Sequence, residues 1–137
     1  MIVAKFGGSS LADASQFQKV KAIVEADPER QIVVCSAAGR RTKTDNKITD
    51  LLYLCHAHLQ YSVSCEPLFD LIRQRFCEIR DVLGLSLDLE EPLAQLKEKM
   101  RQGISQDELV SRGEWLTSKL MAAYLDWPFV DAAEVIR

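Results

Sequence analysis

The chain has 137 residues, of which 47% are hydrophobic and 27% charged, with a net charge of −3 at neutral pH. That length and balance describe one globular domain with enough apolar surface to bury a core, and they exclude a disordered chain. Acidic and basic residues are interspersed with no basic block, which excludes an electrostatic footprint for nucleic acid, and no apolar run approaches membrane-spanning length.

The first stretch, Ile2-Val3-Ala4-Lys5-Phe6-Gly7-Gly8-Ser9-Ser10-Leu11, is a short apolar run that meets a lysine, two glycines and two serines. An amphipathic segment over 13–25 follows, so the order predicts strand, tight turn and helix. Paired glycines let the backbone approach a bulky anion, and free N–H groups at a helix start point toward negative charge. The same pattern also describes a plain Gly-Gly turn beside a solvated lysine. It matches neither the Walker phosphate loop nor the dinucleotide fingerprint.

Phe17, Val20, Ile23 and Val24 recur at helical spacing until Asp27-Pro28 closes the helix. A β-branched run over 31–36 reads as a strand covered on both faces, and the order strand, helix, strand predicts a parallel crossover. The small and polar stretch 37–46 is a loop leaving the carboxyl end of that strand, the edge where open α/β sheets bind ligands. Helices are predicted over 47–60, from Pro67 to a stop at Gly84, and through Leu89, Leu93, Leu96 and Met100 to Gly103. These three helices show no chemistry-bearing pattern.

Ser105 and Glu108 fit a capping box in which each satisfies the other's backbone donor. The helix it opens runs to Leu125, with a seam of Leu109, Gly113, Leu116, Leu120 and Ala123. A glycine inside a helix costs roughly 1 kcal/mol relative to alanine, so either a packed neighbour or a ligand has to come close to the backbone at Gly113. Trp127-Pro128-Phe129-Val130-Asp131 reads as a third short strand, and the residues from Ala132 to the end begin a further element.

Cys35, Cys55, Cys65 and Cys77 lack C-x-x-C spacing and read as free thiols acting as small apolar residues. His56 and His58, two apart, point to different sides of a helix and read as surface residues, so no metal site is expected. The chain enters its first strand directly after Met1, leaving no room for a signal peptide, and a cytoplasmic protein is expected.

Three motifs resemble the aspartate kinases of the amino acid kinase superfamily. Lys5-Phe6-Gly7-Gly8-Ser9-Ser10 is similar to the family's K-F-G-G-T-S opening, with Ser9 keeping the hydroxyl of the usual threonine. Val33-Val34-Cys35-Ser36-Ala37-Ala38-Gly39 and Ile48-Thr49-Asp50-Leu51-Leu52 resemble its second strand and following helix start, joined here by a longer and more basic loop. Glu108-Leu109-Val110-Ser111-Arg112-Gly113-Glu114 resembles its E-L-V-S-x-G-E segment. The segments around 127–132 and 135–137 echo what comes next in the family.

The resemblance implies an α/β fold: a helix-rich, partial three-layer α/β/α sandwich with a mainly parallel sheet. It implies ATP-dependent phosphorylation of the side-chain carboxylate of L-aspartate to 4-phospho-L-aspartate, the opening step toward lysine, threonine and methionine. By the same resemblance, Lys5 neutralises charge on the transferred phosphoryl group, Gly7, Gly8 and Ser9 donate to its oxygens, and Ser36, Thr49 and Glu114 orient aspartate. Read from the residues alone, Ser36 and Thr49 equally suit turn and helix-cap duty, and Glu114 suits a solvated carboxylate paired with a nearby base.

Family members are longer, so residues 1–137 correspond to the N-terminal portion of the catalytic domain, without the ATP-binding half or the C-terminal ACT regulatory domains. Magnesium would accompany ATP in the parent, but the sequence offers no ligand set for it, and no tight cofactor binding is expected of this chain alone. A half-built sheet leaves edges open to self-association. Two alternatives are a glutamate or acetylglutamate kinase, and a non-catalytic binding or assembly domain on the same scaffold.

Overall fold

A computed structural model describes residues 1–131. Its elements in chain order are β1 (Ile2–Phe6), a 3-10 turn (Gly8–Leu11), α1 (Ala14–Glu25), β2 (Arg30–Cys35), α2 (Ile48–Gln60), α3 (Glu66–Val82), α4 (Glu90–Gln102) and α5 (Gln106–Leu125). The two strands pair in parallel, with Val3 opposite Ile32, Lys5 opposite Val34 and Phe6 opposite Cys35. The result is a helix-rich α/β fold around a small parallel sheet.

The helix boundaries follow local chemistry. Asp13 caps α1 by accepting from the Gln16 N–H at 2.9 Å. Pro67 sits in the first turn of α3, where its missing N–H costs no hydrogen bond. Gly84 and Gly103, with φ of +70° and +101°, let the chain turn away after α3 and α4. Ser105 accepts from the Glu108 N–H at 3.1 Å, but only half of the expected capping box forms. The Glu108 carboxylate turns instead to Lys99 Nζ, 3.2 Å away.

The core lies on one side of the sheet. Phe17 and Val20 of α1, Leu52 of α2, Ile72 and Phe76 of α3, Leu93 of α4 and Leu116 and Leu120 of α5 form one buried cluster, against which Phe6 and Val33 pack. Each such side chain contributes about 1.5–3 kcal/mol by leaving water. Alternation decides the other face: Val3, Ile32 and Val34 are 57%, 42% and 42% exposed. The expectation that β2 is covered on both faces is therefore corrected: among the described residues the buried cluster lies on the Phe6, Val33 and Cys35 side.

Residues 127–131 do not form the expected third strand. Asp126, at φ +58°, ends α5 in the left-handed region, and Pro128 has no N–H to offer a ladder. Clefts of about 190 and 250 Å³ separate the segment from Val33 and Cys35 of β2. The further element expected from Ala132 onward, and the likeness seen at 135–137, lie outside the described residues.

The cysteines behave as small apolar groups. Burial pushes the Cys35 thiol up to about 11. It also pushes Cys55 up to about 12, helped by the neighbouring Cys65. The histidines are half-buried rather than on the open surface, and the His58 ring lies 3.0 Å from the Ser64 carbonyl oxygen, tying down the end of α2. Among the described residues no helix is long and apolar enough to cross a membrane.

Candidate functional site

Both strands run out at the same edge, where Ser36 N–H donates to the Phe6 carbonyl at 3.1 Å. The two turns beyond them touch backbone to backbone, with Gly39 N–H donating to the Gly8 carbonyl at 2.8 Å. A side chain at Gly39 would lie 2.6 Å from the Gly8 carbonyl carbon, and one at Gly8 would lie 2.9 Å from the Ala37 oxygen. These glycines are thus fixed by close backbone approach. Gly7 is different: nothing lies within 4 Å of where its Cβ would be, and its φ of −81° is open to any residue.

Beside this contact lies a cleft of about 520 Å³, within the size range of small-molecule sites. Gly8 and Ser9 line it from the first turn, residues 36–40 from the second, Lys47 and Thr49 from the start of α2, and Glu114 from α5. The structure therefore brings together Gly8, Ser9, Ser36, Thr49 and Glu114. Lys5 and Gly7 are not in the lining. Lys5 is exposed near the end of β1, on the open face of the sheet, with no partner among the described residues.

Gly113 resolves the choice left open by its place in the helix seam. A Cβ there would meet Ala37 Cβ at 3.0 Å, Leu52 Cδ1 at 3.1 Å and Ile48 Cγ2 at 3.2 Å, so packed neighbours account for it. That contact brings α5 against the loop after β2, and Glu114 follows it into the cleft. None of Ser36, Thr49 or Glu114 carries a side-chain hydrogen bond or ion pair among the described residues. Lys47, not Thr49, is the N-cap of α2, and no side chain caps that helix. Turn, cap and ion-pair duties are thus unfilled by the three residues that converge on the cleft.

Two supporting residues escape a local reading of the sequence. Thr117, fully buried, accepts from the Ala38 N–H at 3.2 Å and donates to the Gly113 carbonyl at 2.8 Å, pinning the cleft floor to α5. Arg75 of α3, only 4% exposed, donates to the carbonyls of Gly39 at 2.6 Å, Asn46 at 2.8 Å and Ala12 at 3.3 Å, and to Asp45 Oδ2 at 2.7 Å. The expectation that α2 to α4 bear no chemistry is corrected on this point, since α3 holds both turns in place. Buried arginines are rare enough that one inside an apolar seam is a signal in itself, but its partners are 29 to 63 residues away in sequence.

Asp45 is shared. Arg41 Nε lies 2.7 Å from its Oδ2 and Arg41 Nη2 3.1 Å from its Oδ1, with Arg75 on the same carboxylate. Hydrogen bonds from Arg41, first of all, hold the Asp45 carboxyl well below the usual carboxylate range. Burial pushes Arg75 below the ordinary arginine value, and the nearby Arg41 charge adds to this while Asp45 opposes it. Among the described residues no group of three or more His, Cys, Asp or Glu side chains is placed to hold a metal ion.

The glycine turns of the parallel strand pair thus meet beside a polar cleft that Glu114 of α5 also lines. The chain belongs to the amino acid kinase family, whose model matches residues 1–136.

Within the family, the chain is similar to aspartokinases. Aspartokinase 3 of Bacillus subtilis (strain 168) is 36% identical over 141 residues, covering 98% of this chain and 31% of the relative. Chloroplastic aspartokinase 1 of Arabidopsis thaliana is 31% identical over 137 residues, covering 90% of this chain and 23% of the relative. The crystal structure of Clostridium acetobutylicum aspartate kinase superposes with a TM-score of 0.94 at 46% identity, over 98% of this chain and 31% of that one. Escherichia coli aspartokinase III in complex with aspartate and ADP superposes with a TM-score of 0.70 at 25% identity, over 92% and 29%. This chain spans a third or less of the length of each.

Proposed function

We propose that residues 1–137 carry the acceptor-binding cleft of an aspartate kinase, as the N-terminal portion of its catalytic domain. The parent reaction transfers the terminal phosphoryl group of ATP to the side-chain carboxylate of L-aspartate. A carboxylate oxygen forms the new bond to phosphorus, the bond to the ADP oxygen breaks, and 4-phospho-L-aspartate and ADP result. The product enters lysine, threonine and methionine synthesis. Magnesium bound with ATP would neutralise phosphate charge.

The observation that carries this reading is the convergence of Ser36, Thr49 and Glu114, none engaged elsewhere among the described residues, on one cleft beside the Gly8 and Gly39 contact. Glu114 takes the ammonium of aspartate, while Ser36 and Thr49 donate to its carboxylates and so orient the nucleophile. At the other end, Gly8 and Ser9 open a 3-10 turn and have N–H groups without partners inside it, suited to phosphoryl oxygens. The open space at Gly7 leaves room for a phosphate to approach the backbone. Lys5, unpaired at the strand end, supplies positive charge for the same group.

The remaining nucleotide contacts and any ACT domains belong to sequence beyond this portion, and the 31% coverage of the Bacillus relative supports that division. The chain by itself is then expected to bind the acceptor weakly and to turn nothing over. The reading also expects a cytoplasmic protein whose open sheet edge permits self-association.

An amide NMR titration with L-aspartate tests the reading. Shifts concentrated at residues 8–9, 36–39, 49 and 114, and lost in Glu114→Gln, are the expected result. Shifts scattered elsewhere, or insensitive to Glu114, overturn it. Tight ATP binding by residues 1–137 in calorimetry would overturn the division into an acceptor portion and a missing nucleotide half.

A further inference from the structure

The loop joining β2 to α2 is more than a connection. Residues 40–47 are mostly exposed, yet the loop is fastened at both ends of its span. Arg75 grips the carbonyls of Gly39 and Asn46, and Arg75 and Arg41 together grip the Asp45 carboxylate. Arg41 also reaches Glu78 Oε2 of α3 at 3.4 Å. An exposed loop gains little from such buried, charge-assisted contacts unless something on it has to be held in place.

Two of the loop's cationic residues border the cleft. Arg40 and Lys47 line it together with Thr49. Arg40 approaches Asp50 Oδ2 only at 3.9 Å, with both side chains about half exposed, a pairing too loose and too wet to occupy it. Lys47 has no ion-pair partner among the described residues. The cleft therefore presents two available cations and one available carboxylate, Glu114. An amino dicarboxylate presents the complement, one ammonium and two carboxylates.

We propose that residues 40–47 form a fastened arm whose Arg40 and Lys47 bind a carboxylate of the amino-acid acceptor, making them substrate-binding residues additional to Ser36, Thr49 and Glu114. The proposal rests on the acceptor reading of this cleft and deepens it. Arg75 of α3 and Asp45 within the arm act as positioning residues, since they hold the arm to α3 and do not line the cleft. Carboxylate is favoured over phosphate because the arm's cations lie at the α2 start, beside Thr49, and Arg40 leans toward Asp50 in the first turn of that helix.

The test compares Arg40→Gln/Lys47→Gln with Glu114→Gln in NMR titrations of residues 1–137 with L-aspartate, succinate and inorganic phosphate. Succinate keeps both carboxylates and lacks the ammonium. The double variant is expected to weaken aspartate and succinate binding roughly tenfold or more, the scale of losing a charge-assisted contact. Glu114→Gln should weaken aspartate and spare succinate. Arg75→Lys, which keeps charge but loses the planar fork, should weaken succinate binding while Arg40 and Lys47 are intact.

If the double variant binds aspartate as the parent does while Glu114→Gln fails, the arm is idle and only this proposal falls. If the double variant loses phosphate binding and keeps succinate binding, the arm serves phosphate and the proposal also falls. If aspartate moves no cleft amide in the parent chain, the acceptor reading itself falls and takes the arm with it.

Discussion

Gly7 and Gly39 look alike in sequence and differ in what the fold asks of them. An alanine at Gly39 would drive its Cβ to within 2.6 and 2.8 Å of the Gly8 carbonyl carbon and oxygen, both main-chain atoms that cannot step aside singly. Gly39→Ala is expected to cost at least about 2 kcal/mol, within the range for overpacking. At Gly7 an alanine meets nothing within 4 Å and keeps an ordinary φ. Gly7→Ala should leave stability within about 0.5 kcal/mol of the parent or raise it slightly through a less flexible unfolded chain. Urea unfolding of the two variants checks the contrast. A large loss at Gly7 would mean that its bareness serves folding and not the approach of a ligand.

At the level of elements, α5 sets the cleft floor through two neighbouring positions. Gly113 lets the helix close on Ala37, and Thr117 one turn later catches the Ala38 N–H. Thr117→Val preserves shape and strands that buried donor. The expected loss is about 1–3 kcal/mol in urea unfolding with an unchanged dependence on denaturant, because the exposed surface is the same. An m-value that changed would show instead that α5 had come away from the loop.

The periods of α1 to α5, the cap at Ser105 and the stops at Gly84 and Gly103 were legible in the sequence because each depends on neighbours within a turn. The odd glycine of α5 was legible as an approach but not as to what approached, since Ala37, Ile48 and Leu52 are far away in the chain. Arg75 was legible only as a charge set in the apolar seam of α3, and not as to what it held. It stands between Arg73 and Arg80 on a helix rich in charge, and its partners come from two distant loops. The expected strand over 127–131 failed because an apolar, Pro-containing run predicts extension but not the ladder that would make extension a strand.

Across the described residues, the buried core packs on one face of a two-stranded sheet and leaves Val3, Ile32 and Val34 to solvent on the other. A sheet so narrow gives its two turns few ladder contacts, and their placement depends on the Arg75 and Asp45 junction that ties the segments after β1 and β2 to α3. This makes fold stability depend on Asp45 remaining ionised. Its carboxyl is held below the usual range in the folded chain, chiefly by Arg41. The unfolded chain therefore binds the proton more readily, and stability falls as pH is lowered. The contribution is complete above the ordinary aspartate value of about 4 and declines progressively below it. Asp45→Asn is expected to be less stable than the parent at pH 7, with a shallower loss of stability between roughly pH 4 and pH 2. Thermal unfolding across that window, read for both proteins, decides the matter: parallel acid limbs would show that the junction is held by the carbonyl contacts of Arg75 alone.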